Sequence, residues 1–205
     1  MVANDIGTVR APSRTARPSA DEIDAAILDT AAEVFARHGF AGTSVQQVAD
    51  AVGYSKTGLL RRFPSKQALY DAVVEHVSDQ LGVLREQTVG ARRPGGGAQI
   101  VRTAASAAFA HPGAVLLMLE AMRSVTDLPH ADRLGELAHL LVQDLTLDLA
   151  DGRDQLRAVL AVQLVANAAL LTITPEAQAF GVTPAQVHDL AVELASDVLG
   201  APGAP

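Results

Sequence analysis

Apolar side chains recur at intervals of three and four residues along most of this chain, and no stretch of useful length alternates apolar with polar residues. This spacing matches the 3.6 residues of an α-helical turn, whereas a half-buried strand has a period of two. Aromatic residues make up only 3% of the 205 residues, so the core has to be built from Ala, Val and Leu. The pattern predicts an all-α fold.

Several classes of protein are disfavoured by what the sequence lacks. It has no cysteine, which excludes disulfides and thiolate metal sites. Its N-terminus has no apolar signal core, and no unbroken apolar run reaches the roughly 18 residues of a membrane span. The six histidines have no compact metal-binding spacing, and no phosphate loop, nucleophile elbow or carboxylate pair is visible. We therefore expect a cytoplasmic protein with no metal, no cofactor and no catalytic activity.

Capping signals divide the first 90 residues into four helices. Ser19 and Glu22 form the capping box of the first helix, and Gly39 ends it. The second helix is short and stops at Gly53. Two capping boxes are possible at its start, Thr43 with Gln46 or Ser44 with Gln47. Ser55 then caps an equally short third helix that Pro64 ends, and Ser65 caps a long fourth helix.

A glycine-rich break at residues 90–98 is the clearest candidate boundary. We predict a disordered basic tail over 1–18, a unit of short helices over 19–66, a connecting helix over 67–90 and a second helical domain over 98–200. The helices predicted in that second domain are 99–110, 113–126, 131–150, 153–172 and 184–199.

The short second and third helices, joined at Gly53, describe a helix-turn-helix. Residues 55–66 hold four cations and no acid in a chain of net charge -7, namely Lys56, Arg61, Arg62 and Lys66. The first 97 residues carry 11 basic and 11 acidic residues and the remainder carries 5 and 12, so the acidic excess lies away from this stretch. A run of cations alone is typical of a solvated face, but a recognition helix enters the major groove by its N-terminal end. The combination favours DNA binding.

Residues 27–77 resemble the DNA-binding domain of the TetR family of bacterial transcriptional regulators. The matching positions are Ala32, Phe35, Gly39, Phe40, Gly42, Thr43, Ser44, Val48, Ala49, Ala51, Gly53, Ser55, Gly58, Leu59, Phe63, Pro64, Ser65, Lys66 and Leu69. The resemblance implies an N-terminal three-helix DNA-binding domain and a C-terminal helical domain for ligand binding and dimerisation. It also implies a homodimer that binds a palindromic operator, most often as a repressor, and leaves it when a small molecule binds.

The resemblance assigns roles to seven residues by position. Thr43 and Ser44 would contact phosphate, and Lys66 would hold a phosphate from the start of the fourth helix. Lys56 and Thr57 would contact bases or the adjacent backbone, Gly58 would allow close approach to the DNA, and Tyr54 would touch backbone or a thymine methyl. The helix-turn-helix geometry adds Ser55, Arg61 and Arg62, and Leu60 completes the expected DNA-contacting residues.

The tail residues Arg10, Arg14 and Arg17 leave open an arm that reaches into a DNA minor groove, the alternative being a solubilising tail.

Two of the expected DNA-contacting positions depart from the family. Where the family usually has Tyr and often a second aromatic or His, this chain has Leu60 and Arg62. One hydroxyl that contacts phosphate is lost and one cation is gained. We hypothesise that Arg61 and Arg62 compensate, in which case Arg62→Ala should lower the slope of log affinity against log salt by about one.

The second domain contains two segments, 115–125 and 156–173, that are apolar nearly all round. Such helices must be covered on both sides, so we predict dimerisation through the last two helices. A ligand pocket is predicted among Phe109, Leu116, Met118, Leu119, Met122, Leu137, Leu141 and Val165, with Arg123, His139, Gln163 and Asn167 as polar anchors. The alternative is that these residues are plain core. Leu60 keeps open a rival function, an all-α carrier or enzyme that retains a non-functional helix-turn-helix.

Overall fold

The computed structural model describes residues 19–90, 97–123, 129–146, 149, 151–174 and 179–200. Within these ranges the chain forms nine helices and no strand, so the all-α prediction is confirmed. The helices are α1 (Ala20–Gly42), α2 (Val45–Val52), α3 (Lys56–Arg62), α4 (Lys66–Gly90), α5 (Gly97–Ala110), α6 (Pro112–Met122), α7 (Ala131–Thr146), α8 (Gly152–Leu171) and α9 (Pro184–Val198).

Side-chain caps set the start of each N-terminal helix. Ser19 and Glu22 form the expected capping box of α1, and Ser44 with Gln47 forms that of α2. The alternative box at Thr43 is not used. Gly39 has a φ of 69° and interrupts α1, after which one further turn continues to Gly42. The local polar residues thus fix where each helix begins, as the sequence predicts.

Two apolar cores hold the molecule together. The first joins α1 to α4 with α6 and α7, and its largest fully buried side chains include Phe35, Leu59 and Tyr70. The Tyr70 ring lies edge-on to Phe35, with the ring centroids 4.9 Å apart, and its hydroxyl donates to the Pro129 carbonyl at 2.7 Å. Burial raises the pKa of Tyr70. The second core joins α5, α8 and α9 and is rich in alanine and valine.

Helix α6 crosses α1 at very short range. A Cβ atom on Gly113 would lie 2.5 Å from the Asp29 carbonyl oxygen and 3.0 Å from the Glu33 nitrogen, so only glycine fits there. Arg37 of α1 also donates to the carbonyl of Ile173, just beyond α8, at 2.8 Å. Because α1 also packs against α2 and α4, it links the helix-turn-helix to the C-terminal helices.

The predicted C-terminal helices are all present, with differences at their ends. Helix α6 ends at Met122, where the prediction extended to residue 126, and α7 ends at Thr146, where it extended to 150. Residues 124–126, 147, 148 and 150 lie outside the described residues, as do the 1–18 tail and residues 91–96 of the glycine-rich break. Those parts of the division into domains stay predictions.

Within the described residues, helix α8 is long and apolar enough to cross a membrane by length and composition. An 18-residue window of this 20-residue helix has a mean hydropathy of 1.2. The sequence analysis found no unbroken apolar run of that length because Gln163 and Asn167 interrupt the apolar residues of α8. These two residues lower the mean hydropathy of the helix only partly. The core helix of a water-soluble protein passes the same test, and α8 buries Ala161 and Val165 in the second core. Helices α5 and α6 pass it only as a pair, and they are bent by 100° at their junction.

Candidate nucleic-acid interface and ligand cavity

The N-terminal end of α3 is the most exposed part of the helix-turn-helix. Lys56 and Thr57 are exposed in its first turn, while Leu59 is fully buried and holds the helix against the first core. Ser55 caps the helix, since its hydroxyl accepts from the Gly58 nitrogen at 3.0 Å. This arrangement leaves a cationic, polar helix end directed away from the core, which is the end that a recognition helix presents to base edges.

Small and half-buried residues surround that helix end. Gly58 is half-buried, and a Cβ atom there would lie 3.1 Å from the Ser55 hydroxyl oxygen. Tyr54 is exposed beside it, and Leu60 is half-buried. Tyr54 is therefore accessible to a backbone or a thymine methyl, whereas Leu60 has only part of its side chain available.

The four cations of this stretch have different environments. Arg61 and Lys56 are exposed, and within the described ranges neither forms an ion pair. Arg62 pairs with Asp24 of α1. The Lys66 ammonium donates to the carbonyls of Phe40 and Thr43 at 2.9 and 3.0 Å and lies 4.4 Å from the Phe40 ring centre. Lys66 thus ties α4 to the end of α1, with at most one N–H left for a phosphate.

The two hydroxyls at the start of α2 are also occupied. Thr43 is only 3% exposed, and its hydroxyl donates to the Gly39 carbonyl at 2.8 Å. Ser44 is exposed and accepts from the Gln47 nitrogen at 3.2 Å as the helix cap. A phosphate at this helix start is accessible to Ser44 and to backbone N–H groups, and much less to the Thr43 hydroxyl.

Sequence comparison identifies the segment that carries this geometry. Residues 27–73 match the family model of bacterial regulatory proteins, tetR family. RutR, an HTH-type transcriptional regulator of Escherichia coli strain K12, is 50% identical to this chain over 54 residues. This segment of the chain is therefore similar to TetR-family regulators. The matched residues make up 26% of this chain and 26% of RutR, so the likeness spans about a quarter of that relative.

Solved structures show that the TetR-family fold extends over both domains. PfmR, a TetR-family transcriptional regulator from Thermus thermophilus, has a TM-score of 0.59 at 18% identity and covers 87% of this chain and 99% of its own. KstR2, a ketosteroid transcriptional regulator of Mycobacterium tuberculosis, has a TM-score of 0.59 at 16% identity, with 86% and 93% covered. At such identities the likeness concerns the fold alone.

An apolar cavity lies between α4, α5, α6, α7 and α8. Of the twelve residues predicted to line a pocket, Met118, Leu141 and Val165 line it. The other nine do not: Phe109 contacts His188, Arg123 pairs with Glu120, and the remaining seven are Leu116, Leu119, Met122, Leu137, His139, Gln163 and Asn167. Alanines of α5 and residues of α4 take their place, because these two helices form the cavity wall.

A polar cluster that the sequence reasoning missed lies at the edge of this cavity. The Asp29 carboxylate of α1 contacts His76 Nε2 of α4 and His111 Nδ1 at the α5–α6 junction, each at 3.0 Å. The Gln80 amide nitrogen lies 3.0 Å from Asp29 and 2.9 Å from each imidazole nitrogen. The only sequence signal was that His76 and Gln80 share one face of α4, four residues apart.

The cluster favours an ionised carboxylate at Asp29. Burial raises the pKa of Asp29, but its hydrogen bonds to His76 and Gln80 and the charge and hydrogen bond of His111 outweigh that effect, so the pKa lies below its usual value. Among the described residues no group of His, Asp and Glu is arranged to hold a metal ion. The contacts therefore join three parts of the fold: the DNA-binding domain, the long helix α4 and the start of α6.

Proposed function

We propose that this chain is a dimeric transcriptional regulator of the TetR family, most simply a repressor, that binds a palindromic operator and is released from it by a small molecule. It would act in the bacterial cytoplasm, where the operator is accessible. The observation that carries the proposal is the exposed N-terminal end of α3, with Lys56 and Thr57 in its first turn. That end lies within the residues that match the family model.

Dimerisation is supported by an uncovered apolar surface on the last two helices. Leu156 and Leu160 of α8 and Leu190 and Leu194 of α9 are 44–57% exposed, and each pair is spaced four residues apart on one helix face. A second copy of the chain would cover both faces as a four-helix interface. Two recognition helices would then be spaced for successive major grooves, about 34–36 Å apart. A chain that sediments only as a monomer at DNA-binding concentrations would contradict this proposal.

Release by a ligand is supported by where the cavity lies. Its wall includes α4, whose first residues adjoin α3, and α6, which contacts α1 at Gly113. A ligand that binds one spacing of the two recognition helices better than another shifts the population toward it. A ligand in the cavity would then change DNA affinity without any contact to DNA.

The proposal is tested by a mobility shift with the DNA upstream of the chain's own gene. Lys56→Ala should weaken binding, and the slope of log affinity against log salt should fall by about one if Lys56 contacts phosphate. Arg133→Ala is the matched control, since it removes one exposed charge from α7, far along the chain from the helix-turn-helix. We expect it to leave the shift unchanged.

The alternative function is an all-α carrier or enzyme with an inactive helix-turn-helix. It predicts that Lys56→Ala and the wild-type chain shift DNA equally, or that neither does so at any salt concentration. The half-buried Leu60 stands where TetR-family regulators usually have a tyrosine that contacts phosphate, so Leu60→Tyr should strengthen binding if the interface is functional.

A further inference from the structure

The apolar cavity adjoins a second space. A wider groove lies between α4 and α5 on the outside of the domain, and the residues Gln80, Leu84, Ala107 and His111 line both spaces and form the wall between them. The volume open to the centre of a water molecule is about 80 Å³ in the cavity and about 600 Å³ in the groove. A ligand that enters the cavity through this wall, between α4 and α5, would have its outer part in the groove.

The inner space is suited to an aliphatic chain. It is walled mainly by Ala, Val, Leu and Met side chains, with no Phe or Tyr. The Thr88 hydroxyl already donates to the Arg85 carbonyl at 2.9 Å, and the Gln80 amide nitrogen and His111 Nδ1 face Asp29. A polar group placed inside would lose its water, which is unfavourable without a partner. Among the described residues of this wall, the buried side-chain atom that has no hydrogen-bond partner is Gln80 Oε1, at the boundary shared with the groove, so a hydrogen-bond donor is accommodated at that boundary and not deeper. Since one water needs about 10–15 Å³ of such volume, the cavity holds about five to eight waters, or a similar number of methylene groups.

The outer groove offers mainly neutral hydrogen-bonding groups. Its polar side chains include Gln80, Gln87, Gln99, Thr103 and Ser106, together with the imidazoles of His76 and His111. It also holds one acid, Asp79, and one base, Arg102, whose guanidinium already donates to Gln99 at 3.0 Å. A head group with a single charge would meet both signs at once. A neutral head with several hydroxyl or amide groups would meet donors and acceptors on both helices.

The geometry points to an amphiphile as the ligand, with an unbranched aliphatic tail of about six carbons in the cavity and a neutral, hydrogen-bonding head in the groove. The tail passes between α4 and α5 beside Ala107. This inference rests on the proposed release by a small molecule, and it names the chemical class of that molecule.

Calorimetric titration of the full chain with alkyl β-D-glucosides tests the proposal directly. Affinity should rise about fourfold for each methylene from ethyl to hexyl, because each one leaves water for the cavity, and should level off at octyl. Hexylamine and heptanoate have the same six-carbon tail with a charged head. We expect both to bind about tenfold more weakly than hexyl glucoside, since a lone charge is costly to desolvate in the groove.

Two leucine variants on one helix separate the site from non-specific binding. Ala107→Leu fills the passage between the two spaces and should abolish hexyl glucoside binding, while Ala110→Leu places the same side chain on the exposed end of α5 and should not change it. Circular dichroism melts establish that both variants fold. Equal binding by the two variants, an affinity independent of tail length, or tighter binding of either charged ligand would overturn the inference.

Failure of this inference and failure of the proposed function give different results. A chain that shifts operator DNA but binds none of the glucosides remains a regulator and has a different ligand. A chain that binds hexyl glucoside through Ala107 but shifts no DNA has the amphiphile site without the regulatory function.

Discussion

Arg62 has two competing partners, and the competition is specific to this chain. In the free protein it pairs with Asp24 of α1, whereas the proposed complex would bring a phosphate to the same face. Asp24→Asn should therefore free the guanidinium, strengthen DNA binding and make the slope of log affinity against log salt steeper by about one. The measurement is a salt titration of operator binding. Under this hypothesis, Asp24 would oppose the DNA affinity that Arg62 would add at a position where TetR-family regulators often have an aromatic residue or His.

Asp21→Asn is the control for this prediction. It removes the same charge from the exposed first turn of α1, one turn before Asp24. If the two variants change the slope equally, the effect is general electrostatics and the Asp24–Arg62 pair has no specific role. The sequence led to the hypothesis that Arg62 contacts DNA, but it did not predict the ion pair between Arg62 and Asp24. Partners that lie 38 positions apart carry no local pattern, so tertiary packing alone brings them together.

Among the helices, α6 has little freedom to move, because its first turn contacts the backbone of α1. Gly113→Ala would place a methyl group 2.5 Å from the Asp29 carbonyl oxygen, so α6 has to shift away from α1. We expect a loss of about 1–3 kcal/mol in the free energy of unfolding, as for other overpacked contacts. Urea unfolding followed by circular dichroism measures it.

Gly82→Ala in the middle of α4 is the matched substitution, since nothing lies within 4 Å of a Cβ atom there. It should stabilise the chain by about 0.4–1 kcal/mol through the lower entropy of the unfolded state. Equal effects of the two alanines would show that the α1–α6 contact is not tight. Helix starts were predictable because Ser19 and Ser55 cap through neighbouring residues, whereas the Gly113 contact depends on a helix some 80 residues earlier.

Over the whole molecule, the sequence predicted more of the fold than of the cavity lining. The 3.6-residue period predicted nine helical segments in the right order, because each amphipathic face follows from local spacing. The cavity residues were largely missed because the C-terminal helices are apolar on more than one side, so the sequence does not say which face borders a space. Alanines such as Ala107 line it, and alanine gives no sequence signal that distinguishes cavity from tight packing.

The hydrogen bonds around Asp29 connect α1 to α4 and to the start of α6, so removing its charge should lower the stability of the chain. Asp29→Asn should lower the free energy of unfolding by about 1–3 kcal/mol at neutral pH, because charge-assisted hydrogen bonds to His76 and His111 are lost. Since the pKa of Asp29 is lowered in the fold, its carboxylate stabilises the native chain above its unfolded pKa, and this stabilisation is lost as the pH falls through the lowered value. Unfolding curves of the two proteins should therefore converge in acid.

The same variant tests how the cavity and the DNA-binding domain are coupled. If hexyl glucoside weakens operator binding by some factor, operator DNA must weaken hexyl glucoside binding by the same factor, because coupling free energies are reciprocal. Gln80 and His111 line the cavity and also hold Asp29 of α1, so we expect that factor to approach one in Asp29→Asn while hexyl glucoside still binds. Calorimetry with and without operator measures it. An unchanged factor would mean that the coupling runs through another contact, such as Gly113 against α1.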